Sequence, residues 1–314
     1  MNAHGRPWLG SWVAAILAWI VTVAVGHGQG AGDLISAALS FSAFTVLVSL
    51  GQMLVISSGP GNVDLSIPSA IALSSALAMI VMNGDNTMIV PGLMVAIVAG
   101  AAVGLFNVAL IRLLRIPPII ATLSGSMIVM STAISFGRGL KIKPPPMFSA
   151  FVAERVFGLP LLALVALAIT AAVWLLLERT VLGRSIAAIG QNRRAARLAG
   201  VQVERTRLLT YLICGALAGL TGALIAGFSG GNSLDQGDEY LLLTIAVVVI
   251  GGSSVSGGRP CVPGVWGAAL LMFMLVAMLN SAGAGPGLRT LSTGVIIIAV
   301  IALGGARARG AGKL

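Results

Sequence analysis

Charged side chains are scarce in this sequence. Only 9% of its 314 residues are Asp, Glu, Lys or Arg, whereas a soluble domain carries about 25%. So few charges cannot cover a water-facing surface, which excludes a soluble globular protein. Apolar residues make up 57% of the chain and lie in long continuous runs, which lipid requires to be helical. The sequence therefore predicts an all-α polytopic membrane protein.

Histidine and cysteine are almost absent. The histidines are His4 and His27, and the two cysteines, Cys214 and Cys261, lie in different parts of the chain. This usage offers no metal or redox spacing. A serine nucleophile in the segment 227–230 would have neither a histidine nor a lysine base nearby, which disfavours an intramembrane hydrolase. We expect a protein that is not an enzyme, without a metal or another cofactor.

Ten apolar runs have the length, about 17 to 25 residues, that a bilayer requires. The runs are 8–26, 35–56, 65–82, 90–111, 117–136, 156–177, 207–228, 241–251 with its flank, 264–280 and 288–304. A short Ser-Gly-Pro-Gly-Asn segment separates the second run from the third, and the eighth run is short. Both features predict broken helices, which are tolerated at membrane depth only where they are buried or line a cavity.

The basic residues indicate how the chain is oriented. Their net charge of +10 is scattered between apolar runs rather than gathered on a polar domain, so we expect no nucleic-acid partner. With both termini in the cytoplasm, 14 of the 19 Lys and Arg residues lie in cytoplasmic segments and five outside. The basic segment 139–146 falls outside and is the weakest point of the span assignment. The whole chain, 1–314, is expected to be one transmembrane domain.

The longest polar stretch, about 178–206, contains a short basic segment rich in Ala. Asn192 predicts the N-cap of a helix from Arg193 to Ala199, and Gly200 predicts its left-handed end. Such a helix suits a groove of a partner protein. A solvated loop whose arginines only fix the topology is the alternative.

This segment resembles the cytoplasmic coupling loop of the ribose-type (sugar) ATP-binding-cassette transporter permease family, with its pattern GRxxxAxGxNxxAAxxxG(I/V). The matching residues are Gly183, Arg184, Ala188, Gly190, Asn192, Ala195, Ala196, Gly200 and Val201. The resemblance makes nine residues of this segment candidates for coupling to an ATPase: Gly183, Arg184, Gly190, Asn192, Arg193, Ala195, Ala196, Arg197 and Gly200.

The resemblance extends along most of the chain. GQMLVI at 51–56, DLS at 64–66, Asn107, IPPIIATL at 116–123 and IAVVVIGGSSVSGG at 245–258 are similar to the corresponding family segments. Pro68 replaces a usual glycine, and Ser124-Gly125-Ser126 replaces a usual Gly-Thr. Further departures follow the last motif at 259–263. These departures bear on the identity of the solute more than on transport itself.

The resemblance implies a permease subunit of an ATP-driven importer, moving a sugar or related small polar solute by alternating access. Its partners would be a cytoplasmic ATP-binding-cassette ATPase, a second identical or paralogous permease, an extracytoplasmic solute-binding protein and the lipid of a bacterial inner membrane. A secondary transporter or channel is the alternative. That class needs several ionisable residues within its spans, and only Asp64 qualifies.

Polar residues within or beside the runs are candidates for the solute path: Gln52, Asn62, Asp64, Asn107 and Thr122. Asp64 is equally suited to cap the helix 65–82, and the others to join helices by hydrogen bonds. Four glycines predict a tight turn: Gly251, Gly252, Gly257 and Gly258. The acidic segment 230–240 is expected to be an outer loop that meets the binding protein or is simply solvated.

Overall fold

In a computed structural model, residues 8–26, 30–281 and scattered positions between 283 and 295 are described, and they are almost entirely helical. The helices are α1 (Trp8–Val25), α2 (Ala31–Ser57), α3 (Ile67–Met82), α4 (Ile89–Leu113), α5 (Pro118–Gly137), α6 (Pro146–Ala153), α7 (Leu161–Arg179), α8 (Val181–Gln191), α9 (Arg193–Leu198), α10 (Val203–Ser229), α11 (Tyr240–Ile250) and α12 (Val262–Ser281). A 3₁₀ turn (Asn86–Met88) precedes α4. A two-residue hairpin pairs β1 (Arg155–Val156) with β2 (Leu159–Pro160) in antiparallel register.

Seven helices of the described chain are long and apolar enough to cross a membrane: α1, α2, α4 with its 3₁₀ turn, α5, α7, α10 and α12. Two of the ten predicted spans form shorter helices. The third, α3, has 16 residues, and the eighth, α11, has 11. The tenth predicted span, 288–304, lies mostly outside the described residues. The described part of the chain thus holds seven full-length and two short apolar helices in place of nine predicted spans.

The helix ends gather in two groups, as an up-and-down arrangement requires. At one end, the backbone N–H of Gly258 donates to the carbonyl oxygen of Ser57, 2.9 Å away, close to α8. At the other, the backbone N–H of Met147 donates to Oδ1 of Asn86 over 3.1 Å. We call the first the α8–α9 end and the second the opposite end.

Helix α10 lies at the centre of the bundle and packs closely against α4. Gly100 and Gly104 of α4 face Gly215 and Gly219 of α10, each pair spaced by four residues. A Cβ on Gly215 would lie 2.9 Å from the carbonyl carbon of Gly100. Small residues at this spacing let two helix backbones touch, which is how membrane helices associate without a hydrophobic driving force between them.

Candidate functional site

The segment between α2 and α3 runs back alongside α2 instead of leaving the bundle. The backbone N–H of Asp64 donates to Oε1 of Gln52 over 3.2 Å, and that of Leu65 donates to Oγ1 of Thr122 over 3.1 Å. Gln52 lies five residues before the end of α2, which is roughly 8 Å at a rise of about 1.5 Å per residue. The predicted break is therefore confirmed, and two predicted path residues hold it in place.

The carboxylate of Asp64 stabilises the turn that leads into α3. Its Oδ1 accepts hydrogen bonds from the backbone N–H of Ser66 (2.9 Å), from the Ser66 hydroxyl (2.6 Å) and from Nδ2 of Asn107 (3.3 Å). Nδ2 of Asn107 also lies 2.7 Å from the Ser66 hydroxyl oxygen, to which it donates. Helix α3 begins at Ile67 with Ser66 at its N-cap. Asp64 thus binds the turn before the helix and is not the N-cap expected for a helix 65–82.

All five predicted path residues are buried within the protein. Gln52, Asp64, Asn107 and Thr122 meet at the break and join it to α2, α4 and α5. Asn62 is separate from them, because its Nδ2 donates to the hydroxyl of Ser58 over 3.2 Å at the end of α2. In this conformation Gln52, Asp64, Asn107 and Thr122 hold the broken segment to its neighbouring helices by hydrogen bonds.

Helix α11 is the second broken element, and its N-terminus meets that of α3. Gly237, three residues before α11, packs on Pro68 in the first turn of α3. A Cβ on Gly237 would lie 2.8 Å from the Cα of Pro68. From this contact, α3 runs to the end of the bundle that we call the opposite end. Helix α11 runs the other way, to the α8–α9 end.

The depth of this meeting point follows from α10. Gly222, 19 residues into that 27-residue helix, packs on Ile71. At about 1.5 Å per residue, Ile71 lies roughly 28 Å along a helix of roughly 40 Å. The start of α3, one turn earlier, is then at about the middle. Both N-termini therefore point into the centre of the bundle, an arrangement that transporters use to bind polar solutes.

A groove of about 440 Å³ opens beside the two N-termini, within the range of about 300–1,000 Å³ for small-molecule sites. We call it the central groove. It is lined by Leu65, Pro68, Leu123, Ser126, Met127, Met130, Ser131, Ile134, Asp238 and Leu241. The groove combines one carboxylate and two hydroxyls with apolar walls.

The face of α5 that borders the groove differs from a lipid-facing helix. Ser131 and Met127, which is 69% exposed, line the groove, and Ser124 and Ser135 are exposed further around the same helix. The exposed residues of α1 are, by contrast, all apolar. Hydroxyls on an exposed face within a span favour contact with water or with another protein subunit over contact with lipid.

Sequence reasoning missed the groove residues. The segment 230–240 was expected to be an outer loop, whereas Asp238 lies beside Leu65 and Pro68 at the centre of the bundle. The signal that was present is the series of serines in α5 at 124, 126, 131 and 135. The departures from the family pattern at 68 and at 124–126 fall in or next to this groove.

The segment between α7 and α10 has the local structure that its sequence predicts. Oδ1 of Asn192 accepts from the backbone N–H of Ala195 over 3.0 Å, which confirms the N-cap of α9. Helix α9 ends at Leu198, one residue before the predicted end, and Gly200 is left-handed with φ +84°. The preceding helix, α8, is capped by Thr180, whose Oγ1 accepts from the backbone N–H of Gly183.

The predicted coupling residues separate into an inner and an outer set. Gly183, Gly190 and Ala196 are buried, and Ala196 packs with Ile189 and Val203 of its own chain. The exposed members are Arg184, Asn192, Arg193, Ala195, Arg197 and Gly200. Only the second set is therefore accessible at the surface, while the first packs within the protein.

Glycines from three segments meet beneath α8 in what we call the glycine junction. Gly257 and Gly258 have φ of +90° and +77°. A Cβ on Gly257 would lie 2.9 Å from the Cα of Gly59 and 3.1 Å from the Cα of Gly190. The hydrogen bond from Gly258 to Ser57 completes the contact. The end of α8 thereby touches both broken elements.

The predicted turn glycines at the end of α11 have two different roles. Gly252 has φ +90°, as a tight turn requires. Gly251 remains helical with φ −65°. A Cβ there would lie 2.8 Å from the carbonyl oxygen of Gly264, so Gly251 allows α11 to approach α12.

Comparisons with known proteins identify the family of this chain. Residues 34–303 match the family described as branched-chain amino acid transport system / permease component. The chain belongs to this permease family. It is 30% identical over 262 residues to the autoinducer 2 import system permease protein LsrD of Photorhabdus laumondii, covering 81% of this chain and 78% of that protein. No solved structure matches.

A second relative is the ribose import permease protein RbsC of Escherichia coli K12. It is 28% identical over 268 residues, which are 84% of this chain and 83% of that protein. The LsrD protein of Yersinia enterocolitica is 29% identical over 262 residues. These relatives confirm the resemblance to ribose-type sugar permeases that the motifs indicate.

Proposed function

We propose that this protein is the membrane subunit of an ATP-driven importer for a sugar or related small polar solute, and that it works by alternating access. The observation that carries the proposal is the meeting of two broken helices, α3 and α11, at mid-depth beside the central groove. Unwound backbone at this depth is tolerated only where it is buried in protein or lines a cavity. Here it does both.

The groove offers the chemistry that a polyol requires. The Asp238 carboxylate accepts hydrogen bonds from hydroxyls, and Ser126 both donates and accepts. The Ser131 hydroxyl donates to the carbonyl oxygen of Met127 over 2.9 Å and remains an acceptor. Met127 and Met130 provide apolar surface for the C–H faces of a sugar ring. The import of ribose by one relative and of autoinducer 2 by another supports the same class of solute for this chain.

The groove is one half of the proposed path, and a second permease subunit supplies the other. The exposed serines and Met127 of α5 would face the same surface of an identical or paralogous copy. In that arrangement the solute passes between two α5 helices, and the buried network around Asp64 stabilises each wall from behind.

The α8–α9 end is the proposed site of the ATPase. The outer coupling residues, with Leu198 at 83% exposure, form a protruding surface that a groove of an ATPase would receive. This places α8 and α9, and both termini, in the cytoplasm of a bacterial inner membrane. The extracytoplasmic solute-binding protein would then deliver solute at the opposite end.

Cysteine cross-linking tests the paired path. Met127→Cys is expected to form an inter-subunit disulfide in native membranes, because α5 faces its counterpart across the path. Met94→Cys is the matched control, since it is also exposed (57%) but lies on α4. Equal cross-linking of both variants contradicts the proposed arrangement, and so does the absence of cross-links when two copies of this chain are shown to pair.

Uptake in proteoliposomes tests the energy source. The complex co-purified in mild detergent is expected to accumulate labelled sugar only with ATP inside and the binding protein outside. If the chain purifies alone and moves solute without ATP, it is instead a secondary transporter or channel.

A further inference from the structure

A second cleft of about 440 Å³ lies at the α8–α9 end, away from the central groove. We call it the arginine cleft. It is lined by Ile111, Arg112, Arg115, Ile116, Pro117, Pro118, Arg193, Glu204 and Arg207. Three structural elements form it: the turn between α4 and α5, helix α9, and the first turns of α10.

The cleft has an excess of positive charge. Its lining contains four arginines and one glutamate, a net charge of +3. Glu204 already interacts with three cations, because its carboxylate lies 2.8 Å from Arg193, 3.6 Å from Arg197 and 3.8 Å from Arg112. One shared carboxylate leaves most of the positive charge without a counterion among the residues described in the structure.

Arg115 has a left-handed backbone conformation that favours glycine. Arg115 has φ +55° and follows the C-cap of α4, Leu114. Glycine is the usual residue at this position, because it adopts the left-handed conformation without a steric cost. An arginine accepts that cost here, and Arg115 lines the cleft.

The cleft lies at the level where membrane spans end. Helix α4 ends at Leu113, α5 begins at Pro118 and α10 begins at Val203. Leu113 and Leu114, which lie in the chain between the lining residues Arg112 and Arg115, are 79% and 63% exposed, and we call them the apolar rim. An apolar rim beside clustered arginines matches both parts of a phospholipid, whose acyl chains and phosphate meet at this depth.

We propose that the arginine cleft binds the phosphate of an anionic phospholipid. Arginine recognises phosphate through its planar fork of donors, and basic pockets between span ends on the cytoplasmic side bind anionic headgroups. The exposed leucines favour a lipid over a soluble phosphate, because a free anion gains nothing from an apolar rim. The bound phosphate would join the α4–α5 turn to α9 through Arg112, Arg115 and Arg193.

Native mass spectrometry of the detergent-purified full chain tests this site. The protein is offered equal amounts of phosphatidylglycerol and phosphatidylcholine. Preferential retention of phosphatidylglycerol is expected. Arg115→Gly is expected to lower that retention about fivefold, since one basic residue near an anionic lipid is worth about that factor, while Arg115→Lys keeps most of it. Arg179→Gln, at the exposed end of α7, is the matched control and should change nothing.

A drop in lipid retention by Arg115→Gly should not come from misfolding, because glycine adopts φ +55° without strain. The variant should melt at the wild-type temperature or above. Equal retention of the two lipids overturns the proposal, as does unchanged retention in Arg115→Gly. Displacement of the lipid by excess inorganic phosphate would assign the cleft to a soluble anion. Displacement by the ATPase subunit would assign it to acidic side chains of that partner.

Discussion

Two acidic residues near the centre of the molecule, one buried and one exposed, have different surroundings. Asp64 is 2% exposed, and its carboxylate accepts hydrogen bonds from Ser66 and Asn107. Asp238 is exposed to the central groove. A carboxylate satisfied by its own chain stabilises structure, whereas one that faces a groove is available to a solute. This contrast gives two predictions at the scale of single residues.

Asp238→Asn should weaken solute binding without affecting stability. Replacing a charged acceptor by a neutral amide weakens the hydrogen bonds to solute hydroxyls by about 1–1.5 kcal/mol, so the KM of uptake should rise about five- to tenfold. The melting temperature should stay the same. Asp235→Asn, three residues earlier and outside the groove lining, is the control. An equal effect of both substitutions would mean that the segment acts as a whole.

Asn107→Ala should have the opposite effect. It removes the donor that joins α4 to Asp64 and Ser66, and buried hydrogen bonds in membrane proteins contribute about 0.6 kcal/mol on average and up to about 1.7. The melting temperature in detergent should fall by a few degrees, while the KM of the surviving protein stays close to that of the wild type. A large rise in KM at unchanged stability would instead make Asn107 a solute contact.

At the scale of elements, the α4–α10 contact depends on the absence of side chains. Gly215→Ala introduces a Cβ 2.9 Å from the Gly100 carbonyl carbon, and overpacking of this kind costs about 1–3 kcal/mol. Thermal unfolding should show a clear loss of stability. Gly10→Ala in α1 is the control, because it has nothing within 4 Å; its stability should stay the same or rise.

The N-cap of α9 gives a test of coupling. Asn192→Ala should cost about 1 kcal/mol of helix stability and loosen the surface presented to the ATPase. ATP-driven uptake should fall, while sugar binding to the central groove is unchanged. Asn192→Ser restores a capping oxygen and should restore uptake. If alanine and serine variants transport equally well, the order of α9 is irrelevant to coupling.

The sequence predicts some elements and not others, for physical reasons. Long apolar runs, the cap at Asn192 and the left-handed Gly200 depend on local chemistry, so the sequence alone predicts them. The break between α2 and α3 is also visible in its glycines. The depth of Asp238 is not, because it depends on Gly237 packing against Pro68, 169 positions away along the chain. A polar loop and a polar groove wall have the same composition.

At the scale of the whole molecule, the proposed orientation separates the two ends. A cysteine at Ser185, half-buried on α8, should react with a membrane-impermeant thiol reagent only after the cells are opened. A cysteine at Asp85, exposed at the opposite end, should react in intact cells with a permeable outer membrane. The native Cys214 and Cys261 are buried and should contribute little background. Reversed labelling would invert the assignment of the termini.

The glycine junction has a mechanical consequence for the whole protein. Gly190, Gly59 and Gly257 touch backbone to backbone, so the contact contains no side chain that rotates to absorb a displacement. Under the proposed mechanism, a displacement of α8 would pass directly to the ends of both broken elements, which border the central groove at their other ends. In that mechanism the glycine junction would act as a rigid contact between α8 and the two broken elements. A methyl group added at Gly257 would force the backbones of Gly59 and Gly190 apart, and we expect it to disturb this contact.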